Sequence, residues 1–206
     1  SNAGLYHSEK TLSETASSLA TAAFGQTNKV TPIQMITGIS AIANGGKLMT
    51  PYVVQQILDS DGNVVKNTEP TVRRQVVSAE TAAQVSGMME AAVNGGGCKS
   101  AYVAGYRVAG KTGTSEKRDM EGNEVVASFA GFAPADDPQI AILVLLDQPQ
   151  CAVRYGGTIS APVAQKVLSE VLPYLGVEPK YTNAELAKLS TTSPAVTGKS
   201  TTSAQA

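Results

Sequence analysis

The chain has 206 residues, of which 42% are hydrophobic and 16% charged, enough apolar material for a core of one or two domains. A formal net charge of −1 supplies no pull toward nucleic acid or an anionic membrane, so neither is an expected partner. The longest apolar run, 140–146, is far short of the ~20 residues that span a bilayer, and no signal-peptide pattern is present.

Ser1-Asn2-Ala3 reads as the remnant of an expression tag and of an excised piece of protein. His7, the only histidine, has no partner cluster and reads as a solvated loop residue. Thr31-Pro32-Ile33-Gln34 is a helix start: a cap, a first-turn proline and a capping-box glutamine. Met35, Ile36, Ile39, Ile42 and Ala43 continue it as one apolar stripe, and Gly45-Gly46 ends it. Residues 53–58, the turn 59–63 and Val64-Val65 predict a hairpin. Ser78 opens a second helix with Ala82, Val85, Met88, Met89 and Ala92 on its inner face. Gly95-Gly96-Gly97 ends that helix. Cys98 and Cys151 are far apart and lack a metal-ligand spacing, so two free thiols are expected. Strands are expected over 102–108, 125–132 and 139–146, the last apolar throughout and therefore buried on both faces. A last helix covers 162–175, lined by Ala164, Val167, Leu168, Val171 and Leu175. Beyond Ser190 the Ser/Thr/Ala-rich chain reads as linker or disorder. Short links between the strands mean antiparallel pairing, and the class is α+β, helices packed on an antiparallel sheet.

Residues 105–117, GYRVAGKTGTSEK, fit two motifs. Gly105 to Thr112 matches the phosphate-binding P-loop, and Asp147 after its apolar strand mimics an Mg²⁺-associated aspartate. A P-loop needs a helix directly after it. Residues 112–123 carry one large apolar residue, Met120, and two glycines, so no helix face exists there. A nucleotide hydrolase is therefore the weaker reading. Lys111-Thr112-Gly113 is also the Lys-Thr-Gly element of serine acyl-transfer enzymes. That element needs an edge strand, a cation beside a cleft, hydroxyls for a carboxylate and a glycine for close approach. The bland alternative for Lys111 is a solvated lysine guarding an edge strand.

The match extends well beyond the tripeptide. Residues 19–26 (LATAAFGQ), 30–35 (VTPIQM), 41–46 (AIANGG), 51–54 (PYVV), 109–114 (AGKTGT) and 128–134 (SFAGFAP) follow one another in order. This pattern resembles the class B penicillin-binding proteins, closest to the sporulation and division transpeptidases of Gram-positive bacteria. The resemblance covers roughly residues 5–174. Phe24-Gly25-Gln26 favours a transpeptidase over a β-lactamase. Residues 193–200 also look like the opening of a PASTA module.

The resemblance implies a partial penicillin-binding-protein/serine β-lactamase-like transpeptidase fold. It divides the chain into the tag remnant (1–3), the C-terminal portion of the transpeptidase domain (4–176) and a Ser/Thr-rich linker with a truncated PASTA start (177–206). It implies peptidoglycan D,D-transpeptidation through a serine acyl-enzyme that β-lactams also form. Stem peptides and β-lactams are the implied ligands, with no cofactor and no metal. Lys111 and Thr114 are the implied catalytic residues, and Lys111, Thr112, Gly113 and Thr114 bind substrate. The Thr114 hydroxyl takes the substrate carboxylate and its N–H is one oxyanion donor. Gly25 and Gln26 are implied to shape the cleft's floor or rim. The implied location is the extracytoplasmic face of the bacterial plasma membrane, attached through a segment outside these residues.

The family's Ser-x-x-Lys and Ser-x-Asn motifs do not occur in the 206 residues. The chain alone is thus expected to be inactive, and its third strand, without neighbours from the rest of the domain, to expose an edge open to self-association. The alternative is a non-catalytic module that binds peptidoglycan or a protein partner.

Overall fold

The computed structural model of the chain describes residues 8–14, 16–26, 28–117 and 124–192. The tag-like start, His7 and the PASTA-like segment lie outside the described residues.

Helices α1 (Glu9–Glu14) and α2 (Ala16–Ala23) pack on each other. After α2, Gly25 takes a left-handed φ of 86°, while the Gly25 and Gln26 N–H groups donate to Ala22 and Thr21 carbonyls. Gly-Gln is therefore a helix stop, as left-handed C-terminal caps require. Helix α3 (Pro32–Ala43) begins with the expected capping box: the Gln34 N–H donates to Thr31 Oγ1 (3.3 Å) and the Thr31 N–H to Gln34 Oε1 (2.9 Å). Its stripe is only half covered, since Met35 is 40% exposed.

Four short strands follow: β1 (Lys47–Met49), β2 (Gln56–Leu58), β3 (Val64–Asn67) and β4 (Val72–Gln75). The hairpin forms as β2–β3, its turn held by Asp59 Oδ1, which accepts the Asp61 and Asn63 N–H groups at 2.9 Å each. Its first strand is shorter than 53–58, and every strand residue in it is exposed, since among the described residues β2 and β3 pack chiefly on each other. Strand β1 pairs antiparallel with β4, a partnership that the sequence does not signal.

Helix α4 (Ala79–Asn94) is capped by Ser78 Oγ, which accepts the Thr81 N–H at 3.0 Å. Its buried face is Ala82, Ser86 and Val93. Met88, expected on that face, is 70% exposed. Six residues beyond Ala82 it is turned roughly 240° around the axis at 3.6 residues per turn.

A 3₁₀ turn (Lys99–Ala101) leads to the main sheet of β5 (Ala109–Glu116), β6 (Val125–Ala133) and β7 (Ile140–Asp147). All pairing is antiparallel, in the order β5-β6-β7. The strand expected over 102–108 does not form. A tight turn, with the Tyr106 N–H on the Val103 carbonyl (3.1 Å) and Gly105 at φ 78°, delays extension until Ala109. The polar run KTGTSE is strand because its backbone pairs with β6, which overrides weak local propensity. The expectation that the third strand is buried on both faces also fails. Every β7 residue is half-buried or exposed: Ile140, Ile142 and Val144 pack only partly buried against the core, and Leu145 is 42% exposed.

Helices α5 (Gly156–Ile159), α6 (Ala161–Tyr174) and α7 (Asn183–Thr192) are the last elements among the described residues. Ala161, Ala164, Leu168 and Leu172 are the buried face of α6, in one core with Phe129, Val93, Val108 and Cys98. Val167 and Leu175, expected inward, are 39% and 48% exposed: Val167 is one step off that 3-4-4 spacing, and Leu175 is the C-cap, past the end of the helix. Helix α7 lies inside the stretch expected to be linker. Glu185 both caps it and fastens it: its carboxylate accepts the Thr182 N–H (2.6 Å), the Gly105 N–H (2.9 Å) and the Tyr102 O–H. Polar anchoring thus orders a segment too poor in apolar residues to announce itself.

Candidate active site

Successive side chains of a strand point to opposite faces. Lys111 and Gly113 therefore share one face of β5, and Thr112 and Thr114 share the other, the face that carries Phe129 of β6. Strand β6 covers only one side of β5. The other side is a free edge of the sheet.

The direction of that edge's backbone follows from one contact. The Thr112 N–H donates to Cys98 Sγ at 3.3 Å, away from β6. Amides in a strand alternate sides, so the Thr114 N–H faces the same free edge. Lys111 curls toward this edge too, its Nζ donating to the Thr112 carbonyl at 2.9 Å. The Thr114 Oγ1 accepts the Gly156 N–H at 3.1 Å. A backbone donor, a cation and a hydroxyl thus gather along the outer edge of one exposed strand. Nothing of a P-loop survives: strand continues from Ala109 through Glu116 where a helix would have to begin, and the sheet is antiparallel.

Two supports lie beneath this edge. Cys98, buried, has its sulfur 3.5 Å from Thr112 Oγ1 as well as on the Thr112 amide. Gly156 packs so closely that a Cβ there would lie 2.4 Å from both the Gly113 and Ser128 carbonyl oxygens. Gly113 sits closer to a side chain than to backbone: a Cβ on it would lie 2.7 Å from Ser128 Oγ, which can rotate away. Both cysteines are free thiols. Among the described residues no group of three His, Cys, Asp or Glu side chains could hold a metal.

The family model described as the penicillin binding protein transpeptidase domain matches residues 1–169. The chain belongs to the penicillin-binding protein transpeptidase family. Stage V sporulation protein D of Bacillus subtilis is 43% identical over 171 residues, covering 81% of this chain and 26% of that protein. The peptidoglycan D,D-transpeptidase FtsI of Escherichia coli K12 is 34% identical over 164 residues, covering 78% of this chain and 26% of that one. Penicillin-binding protein A of Mycobacterium tuberculosis, solved as its ceftriaxone acyl-enzyme, superposes with a TM-score of 0.68 at 29% identity, over 75% of this chain and 35% of that one. The chain spans about a quarter of the length of these curated relatives. The partial penicillin-binding-protein-like α+β fold agrees with these neighbours.

Sequence reasoning singled out Lys111, Thr112, Gly113 and Thr114, and in the structure they lie in succession on the edge strand β5. It missed Cys98 and Gly156, which touch that strand from 14 and 42 positions away. The pair Gly156-Gly157 at the head of an apolar helix was the one available signal for a close approach. No helix among the described residues is long and apolar enough to cross a membrane.

Proposed function

We propose that this chain is the Lys-Thr-Gly-bearing portion of a serine D,D-transpeptidase that cross-links peptidoglycan stem peptides. The observation that carries the reading is the free outer edge of β5, where the Thr114 N–H, the Thr114 hydroxyl and Lys111 gather. A serine hydroxyl attacks the carbonyl carbon of the penultimate D-alanine. The C–N bond breaks, the terminal D-alanine leaves with the proton as an amine, and an ester to the serine forms. An amine of a neighbouring stem then attacks that ester, forms the new amide and returns the proton to the serine.

In this scheme the Thr114 N–H is one of the two donors to the developing oxyanion. The Thr114 hydroxyl takes the terminal carboxylate. Lys111 supplies positive charge beside both, Thr112 flanks it, and Gly113 keeps the edge flat for a substrate backbone. β-Lactams acylate the same serine because their amide carbonyl and carboxylate repeat the D-Ala-D-Ala spacing. The serine, its lysine and the Ser-x-Asn hydroxyl are not among the 206 residues. The chain alone is therefore catalytically inert. The reaction takes place outside the cytoplasm, where stem peptides are exposed.

The test joins this chain to a preceding segment carrying Ser-x-x-Lys and Ser-x-Asn, and measures acylation by benzylpenicillin. The joined protein should acylate stoichiometrically, and Lys111→Ala should slow the reaction roughly 10²-fold, the usual effect of losing one electrostatic contact. Acylation unchanged by Lys111→Ala overturns the reading.

A further inference from the structure

We propose that Gly156 is a positioning residue for the carboxylate site, acting through Thr114; this rests on the function proposed above. The observations are two. The Gly156 N–H donates to Thr114 Oγ1 at 3.1 Å. The same residue is wedged against the sheet, where a Cβ would lie 2.4 Å from the Gly113 and Ser128 carbonyl oxygens.

A threonine hydroxyl has one proton to give and two lone pairs. The Gly156 amide occupies one lone pair from behind. The O–H that remains is polarised by the bond it receives, since hydrogen bonds in a chain strengthen one another. Thr114 itself is exposed, so the polarised O–H is open to a ligand from solvent. A partner with only acceptor atoms suits such a hydroxyl, and a carboxylate is that partner. A neutral ester offers a weaker acceptor and gains less. Gly156 thus sets a preference for an anionic terminus over a neutral one. Glycine is required because the amide reaches Thr114 only when the backbone lies directly on β5 and β6. Gly157 follows the same path more loosely, a Cβ there meeting the Gly97 carbonyl oxygen at 3.3 Å.

The experiment compares benzylpenicillin with its methyl ester as acylating agents of the joined protein. Wild type should favour the acid, and Thr114→Val should lower that acid-to-ester ratio about tenfold. Gly156→Ala should lower it by a similar factor, and the double variant no further. A support role for Gly156 in folding alone would slow both agents equally and leave the ratio unchanged, which overturns the proposal. If Gly156→Ala does not fold, amide hydrogen exchange at Gly156 in the 206-residue chain decides. Protection should be present in wild type and Thr114→Ser and lost in Thr114→Val; equal protection in all three overturns the proposal. Wild type acylated by neither agent would instead refute the transpeptidase reading.

Discussion

Single residues show where local chemistry decides. Thr31 closes a capping box that the spacing Thr-x-x-Gln makes readable in advance. Its replacement by alanine should cost about 1 kcal/mol, measured as a shift of the urea midpoint. Phe129 is fully buried and lies over Gly110, whose Cβ would come 2.2 Å from the ring. Phe129→Ala should cost about 3–5 kcal/mol by the same measurement. Glu185 behaves differently, through charge. The Tyr102 hydroxyl, then the Thr182 and Gly105 amides, lower its carboxyl from 4.5 to about 2. Burial first, and then Glu185, push Tyr102 up to about 12. A carboxyl depressed by folding adds stability above its unfolded value and loses it as pH falls through the folded one. The anchoring of α7 should therefore weaken between about pH 4.5 and 2. Denaturant titrations at pH 7 and pH 3 should show a smaller difference in Glu185→Gln than in wild type.

At the scale of elements, the sequence is most readable where an element carries its own signals. Helices α3 and α4 have caps, periodic apolar residues and glycine stops, and both form where expected. The β2–β3 hairpin has its Asp-rich turn. Strand β5 is the opposite case. KTGTSE has the composition of a turn, and only pairing with β6 extends it, so the reading shifted the strand toward Tyr102. Helix α7 was hidden for a similar reason, its ties being hydrogen bonds to residues 80 and 83 positions away. The candidate site followed the same rule. Lys111 to Thr114 were legible as a motif, while Cys98 meets the strand only through the fold and Gly156 left no signal beyond its glycine pair.

For the whole molecule, the main sheet has two outer strands with different surroundings. Strand β5 is polar and edges the candidate site. Strand β7, IAILVLLD, is apolar and has a single charge, Asp147, at its end. An apolar edge without lysine or proline is a template for pairing with another chain. The 206-residue chain should self-associate at high concentration, and Leu145→Lys should reduce that in sedimentation velocity; a wild-type chain that stays monomeric contradicts this.

The central claim is that these residues supply the oxyanion donor, the carboxylate hydroxyl and the cation of a transpeptidase, and none of its nucleophile. Intact-protein mass after incubation with excess benzylpenicillin tests it most directly, with circular dichroism to establish folding. The account predicts a folded chain with no added mass. A stoichiometric penicilloyl adduct would mean that a serine within the 206 residues is reactive, and would contradict it.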